Sequence, residues 1–152
     1  MRPSKAELID LLHRALPVTV AIPDGYLSES ALAEVLGVDR RWLRALRTGG
    51  IAAPRGFGRG FLYSGDEART CAVTLRLTRL GLGVAEFARF LRGPCETATC
   101  RAGERGCSAG DCCEVLLTGL ADRLSGDIGE LQRLQQLLDE PAPPLPDGID
   151  AA

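Results

Sequence analysis

The spacing of apolar side chains divides the chain into short helices, one small strand region and one long terminal helix. From Ser4 to Leu16, Leu8, Leu11, Leu12 and Ala15 share a face, with Ser4 as N-cap, Glu7 three residues on, and Pro17 as the stop. Ser28–Leu36 repeats the plan: Ser28 caps, Ala31, Leu32, Val35 and Leu36 form the apolar stripe, and Gly37 breaks it. Asp39 caps a third helix from Arg40 to about Thr48, in which Trp42, Leu43 and Leu46 face inward while Arg40, Arg41, Arg44 and Arg47 stay outside. Helix, glycine turn, basic helix is the order of a helix-turn-helix.

Gly49–Gly60 mixes glycine with arginine and is followed by Phe61-Leu62-Tyr63, which predicts a small β-hairpin or wing carrying Arg55 and Arg59. Ser64-Gly65-Asp66-Glu67 reads as a capping box opening a helix to about Leu80. Gly81-Leu82-Gly83 separates it from a shorter helix, Val84–Leu91, and Gly93-Pro94 closes this module. Cys95–Asp111 has no hydrophobic periodicity, so its order must come from something other than a core. From Cys112 to about Asp139, Leu117, Leu124, Leu131 and Leu138 recur at intervals of seven, with Leu120 and Leu134 between them. That is a coiled-coil seam, weakened by Gly119, Gly126 and Gly129. Pro141–Ala152 reads as a flexible tail.

The expected fold class is mainly α: a winged helix-turn-helix DNA-binding domain followed by a long dimerisation helix. Its expected segments are an N-terminal extension with a short helix (1–25), the DNA-binding domain (26–92), a cysteine-rich loop (93–111), the dimerisation helix (112–139) and the tail (140–152).

With 152 residues, 45% hydrophobic and 25% charged, the chain has room for one compact domain and an appendage, and wholesale disorder is excluded. No apolar run approaches the roughly 20 residues that span a bilayer, and the N-terminal stretch is acidic and amphipathic where a signal peptide has an apolar core. A cytoplasmic protein with no membrane partner is expected. The net charge of −2 conceals an asymmetry: residues 1–92 hold 14 Lys/Arg against 9 Asp/Glu, and residues 93–152 hold 4 against 11. Arg40, Arg41, Arg44, Arg47, Arg55 and Arg59 lie in a stretch without a single acid, a stripe that favours a polyanion.

Cys95, Cys100, Cys107, Cys112 and Cys113 are separated by four, six, four and no residues. A reducing cytosol turns such a cluster toward metal binding or redox chemistry. Soft thiolates suit Zn²⁺, another thiophilic ion or an iron–sulfur cluster, and the spacing does not choose among them. A reversible disulfide and inert thiols are the other readings. Cys71 shares an apolar stripe with Ala68, Ala72 and Leu75 and reads as structural, and His13 as a surface or packing residue. One remote histidine and scattered carboxylates supply no acid–base or nucleophile pair, so no enzyme is expected.

From about Tyr26 to Leu138 the ordered set of segments resembles the MerR family of bacterial regulators. Leu27-Ser28-Glu29-Ser30-Ala31-Leu32-Ala33 is similar to that family's first helix, and Gly37-Val38-Asp39-Arg40-Arg41-Trp42-Leu43-Arg44 to its turn and recognition helix. Gly50-Ile51 with Pro54-Arg55, Tyr63-Ser64 ahead of Asp66-Glu67, Leu80-Gly81-Leu82 with Glu86, and Cys112-Cys113-Glu114-Val115 extend the resemblance. Where the family has two tyrosines after the recognition-helix arginine, this chain has Ala45 and Leu46, with Arg47 in place of the usual acid. The arginine expected just after the first wing aromatic is absent, and Arg59 lies on the other side of Phe61.

The resemblance implies a homodimer on a two-fold-symmetric operator in promoter DNA, acting with RNA polymerase, often by twisting the promoter spacer. It also makes Cys112 similar to the cysteine that metal-sensing members place at the start of the dimer helix. No cysteine follows position 113 here, so the preceding loop must supply the remaining ligands. Arg40, Arg41 and Arg44 are expected in the major groove, and Arg47, Arg55, Arg59 and Tyr63 at the backbone or in wing contacts. The function expected is a DNA-binding transcription regulator whose cysteine loop, at the hinge between its two halves, binds a metal ion or cluster and senses metal or redox state. Its rivals are a zinc-stapled adaptor that recruits a protein partner without sensing, and a DNA-recombination accessory factor built on the same module.

Overall fold

Among the described residues, short polar side chains start five of the six helices, each accepting a backbone N–H two or three residues on. In a computed structural model, which describes residues 3–16, 18, 20–92 and 108–140, Ser4 caps α1 (Lys5–Ala15), Ser28 caps α2 (Glu29–Leu36) and Asp39 caps α3 (Arg40–Thr48). Ser64 caps α4 (Gly65–Arg79), α5 follows at Val84–Arg92, and Ser108 caps α6 (Ala109–Asp139). At α1 the capping box is complete, since the Ser4 N–H donates to Glu7 at 2.8 Å. At α4 it is not: Glu67 Oε2 instead accepts the Ala53 N–H at 2.9 Å, which fastens the start of α4 to the chain ahead of the hairpin. α6 begins at Ala109, one turn ahead of the expected Cys112, because Ser108 caps by accepting the Asp111 N–H.

Among the described residues, three short strands complete a mainly helical fold with one small antiparallel sheet. β1 (Leu27–Ser28), β2 (Arg55–Phe57) and β3 (Gly60–Tyr63) lie in the order β1-β3-β2, with Leu27 opposite Tyr63 and Arg55 opposite Leu62. β2 and β3 are joined by the two residues Gly58 and Arg59, and Gly58 adopts φ 59°, a left-handed conformation that glycine takes without strain.

One core joins the pieces. Leu32 and Leu36 of α2, Leu43 and Leu46 of α3, Ile51, Tyr63, and Val73 and Leu77 of α4 are all buried. The segment expected as an N-terminal extension belongs to the same core: Leu8, Ile9 and Leu12 are buried and α1 packs on α4, α5 and α6. Its partner on α6 is the first half alone, where Cys112, Cys113 and Leu120 are buried. From residue 125 to residue 140 every side chain is exposed. Within α4, Thr70, Thr74 and Thr78 each donate a hydroxyl to the carbonyl four residues back, which lets Thr74 be fully buried without an unmet donor.

Pro17, Gly93-Pro94, the cysteine-loop residues 95–107 and the tail Pro141–Ala152 lie outside the described residues. Among the described residues, no helix is long and apolar enough to cross a membrane.

Candidate nucleic-acid interface

The α2–α3 pair is set by the three-residue turn Gly37-Val38-Asp39. Gly37 takes φ 67° and donates its N–H to the Ala33 and Glu34 carbonyls, and the Val38 N–H also returns to Ala33, so α2 ends abruptly. Asp39 Oδ1 then accepts the Arg41 N–H at 2.8 Å and starts α3 in a new direction. Leu43 and Leu46, three apart, are buried against α2, which turns Arg40, Arg41 and Arg44 to the exposed side. Trp42 sits half-buried at the edge of the core.

Arg55 and Arg59 are exposed on the hairpin, Arg59 in its turn. Among the described residues, Arg40, Arg41, Arg44, Arg55 and Arg59 form no ion pair; the pairs present are Arg14–Asp10, Arg69–Asp10, Arg47–Glu29 and Arg123–Glu86. Five cations thus stand on α3 and the adjoining hairpin with their charge uncompensated by a neighbouring carboxylate.

Arg47 and Tyr63 differ from the other expected contact residues. The Arg47 guanidinium stacks 3.8 Å over the Phe61 ring, its Nε is buried without a hydrogen bond, and that nitrogen lies 3.6 Å from Glu29 Oε2. Tyr63 is fully buried and donates its hydroxyl to the same Glu29 oxygen at 2.9 Å. Burial, then the hydrogen bond to the Glu29 carboxylate, pushes the Tyr63 phenol well above its usual range. The expected backbone contact at Tyr63 is therefore replaced by a core role: with Glu29, Arg47 and Phe61 it fastens α2, α3 and β3 together. Glu29 and Glu67 were not legible as members of the site. A first-turn acid looks the same in sequence whether it serves the helix dipole or a buried partner.

No family model, curated protein or solved structure matches the chain.

The cysteines divide. Cys71 is fully buried in α4, with its thiol pushed up to about 12 by burial, as a structural residue requires. Cys113 is also in the core, directed at the Leu8 carbonyl of α1 at 3.8 Å, and burial pushes its thiol up to about 11. The Cys113 sulfur, expected as a ligand, here faces the Leu8 carbonyl of α1 within the core. Cys112 is buried beside it in the first turn of α6. Cys95, Cys100 and Cys107 lie outside the described residues, and among the described residues no group of three or more His, Cys, Asp or Glu is arranged to hold a metal ion.

α6 is tied to the body by one further contact. Arg123 Nη2 donates to Glu86 Oε2 at 2.6 Å and Nη1 to Oε1 at 3.4 Å, while the Gly83 N–H donates to Oε1. The Arg123 hydrogen bonds hold the Glu86 carboxyl below its ordinary range.

Proposed function

We infer that the chain is a dimeric winged helix-turn-helix regulator of transcription, in which α2 and α3 form the helix-turn-helix, β2–β3 the wing and α6 the dimerisation helix. The observation that carries this reading is the outer face of α3, where Arg40, Arg41 and Arg44 are exposed and unpaired opposite the buried Leu43 and Leu46. A guanidinium fork matches both a guanine edge and a phosphate, and a helix of this width enters the major groove. Arg55 and Arg59 on the hairpin extend the same positive surface, with no acid between positions 40 and 59. Dimerisation is supported by Ile128, Leu131, Leu134 and Leu138, which continue the leucine stripe of α6 into solvent.

The partners that follow are promoter DNA, a second copy of the chain and RNA polymerase. The sensing part of the reading rests on position: the cysteine-rich segment links α5 to α6, so a metal ion or cluster held by Cys95, Cys100, Cys107 and Cys112 would act between the DNA-reading half and the dimer helix. Elemental analysis and an absorbance spectrum after anaerobic purification test it. Colour indicates iron–sulfur, and zinc present regardless of effector indicates the stapled adaptor.

The experiment for DNA binding is titration of the full chain into duplex DNA at increasing salt. Logarithmic affinity is expected to fall linearly, by about 0.9 for each phosphate neutralised. A stable monomer with no preference for duplex DNA over another polyanion rejects the reading.

A further inference from the structure

The β2–β3 hairpin carries an aromatic ring that the protein itself does not use. Phe57 is 70% exposed at the end of β2, next to the Gly58-Arg59 turn. Side chains alternate across a hairpin, so Gly56, Phe61 and Tyr63 belong to one face and Arg55, Phe57 and Leu62 to the other. The first face is consumed within the protein, Phe61 under Arg47 and Tyr63 in the core. On the second, the residue opposite Phe57 is Gly60, which has no side chain to cover the ring.

A lone exposed ring is ordinary, and two neighbours make this one different. Arg55 lies two residues before it and Arg59 two residues after, both exposed and unpaired, so the ring is framed by positive charge.

We propose that the tip of this hairpin is a minor-groove wedge, in which Phe57 inserts between stacked base pairs while Arg55 and Arg59 hold the phosphates on either side. The proposal rests on the DNA-binding reading above and adds to it the groove and the mode of contact. Apolar wedges of this kind unstack a base step and kink the duplex, and pyrimidine–purine steps such as TA yield most readily. The narrow minor groove concentrates negative potential and so favours flanking arginines.

The test uses the full chain and an A·T-rich duplex carrying 2-aminopurine beside TA steps, read by anisotropy and by 2-aminopurine fluorescence. Binding of the native protein is expected to raise the fluorescence as the step unstacks. Phe57→Ala, an exposed position whose fold is checked by circular dichroism, should abolish the rise and weaken binding about tenfold. Phe57→Leu should retain most of both. If Phe57→Ala binds and raises fluorescence as the native chain does, the wedge is rejected and the DNA-binding reading stands. If the native chain fails to bind, or binding is indifferent to Arg44→Ala, the underlying reading falls and the wedge falls with it.

Discussion

The Tyr63 hydroxyl donates to Glu29 Oε2 at 2.9 Å inside the core, joining the last residue of β3 to the first residue of α2. The same oxygen faces Arg47 Nε at 3.6 Å, so one carboxylate compensates a buried phenol and a partly buried guanidinium. Glu29→Ala leaves both without a partner. It is expected to cost about 3 kcal/mol, the lower end for breaking a buried pair, because part of the Arg47 side chain still reaches water. Tyr63→Phe removes one hydrogen bond and should cost about 1 kcal/mol. Urea denaturation of the two variants checks the difference; equal costs would mean that Arg47 does not depend on Glu29.

The helices were legible in sequence because each is punctuated by a residue with one physical job. Ser4, Ser28, Asp39 and Ser64 cap as their spacing predicts, and Gly37 ends α2 where a left-handed residue is needed. What sequence could not supply was the direction of side chains in the hairpin. Tyr63 and Phe57 are both aromatic and close to arginines, yet register sends one into the core and the other into solvent. The place of α1 was equally hidden, since an amphipathic helix does not say which surface it covers; here it covers the first half of α6. The same contact directs Cys113 toward the Leu8 carbonyl.

Arg44 and Arg47, one turn apart on α3, should separate cleanly on substitution. Arg44 is exposed and unpaired, so Arg44→Ala is expected to change stability by no more than about 0.5 kcal/mol while weakening duplex binding roughly tenfold. Arg47 stacks on Phe61 and neutralises Glu29, so Arg47→Ala should lower the melting temperature clearly. Thermal melts beside anisotropy titrations decide it, and the opposite assignment of effects would contradict an α3 interface centred on Arg44.

The buried thiols set an alkaline limit. Cys71 and Cys113 are raised by burial to about 12 and about 11 from an ordinary value of 9.0. Above pH about 9 the unfolded chain releases these protons while the folded chain keeps them, so the unfolded state binds fewer protons and stability falls with rising pH. The contribution is complete below the unfolded value and is lost toward the folded ones, at up to about 1.4 kcal/mol per pH unit for each thiol. Denaturation midpoints measured between pH about 8 and 9, where an unfolded tyrosine is at most about a tenth ionised, should show the onset of the decline, and Cys113→Ala should reduce its slope. An unchanged slope in that variant would place the thiol in water, contrary to its packing on Leu8.

α6 holds two different kinds of leucine. Leu120 is buried against the body of its own chain, whereas Leu131 and Leu138 are 65% and 85% exposed. Residues 125–139 make no buried contact with the body of their own chain, and Gly126 and Gly129 lower their intrinsic helix propensity. In the dimer proposed above, a second copy packed on the same stripe would supply that contact. Leu131→Asp with Leu134→Asp is therefore expected to convert a dimer to a monomer in sedimentation equilibrium and to remove far-ultraviolet helicity equal to the second half of α6. Leu120→Asp should instead unfold the whole domain, because it places a charge in the core. A dimer that survives the double substitution would have to be held by another surface, and the exposed stripe would lose its role.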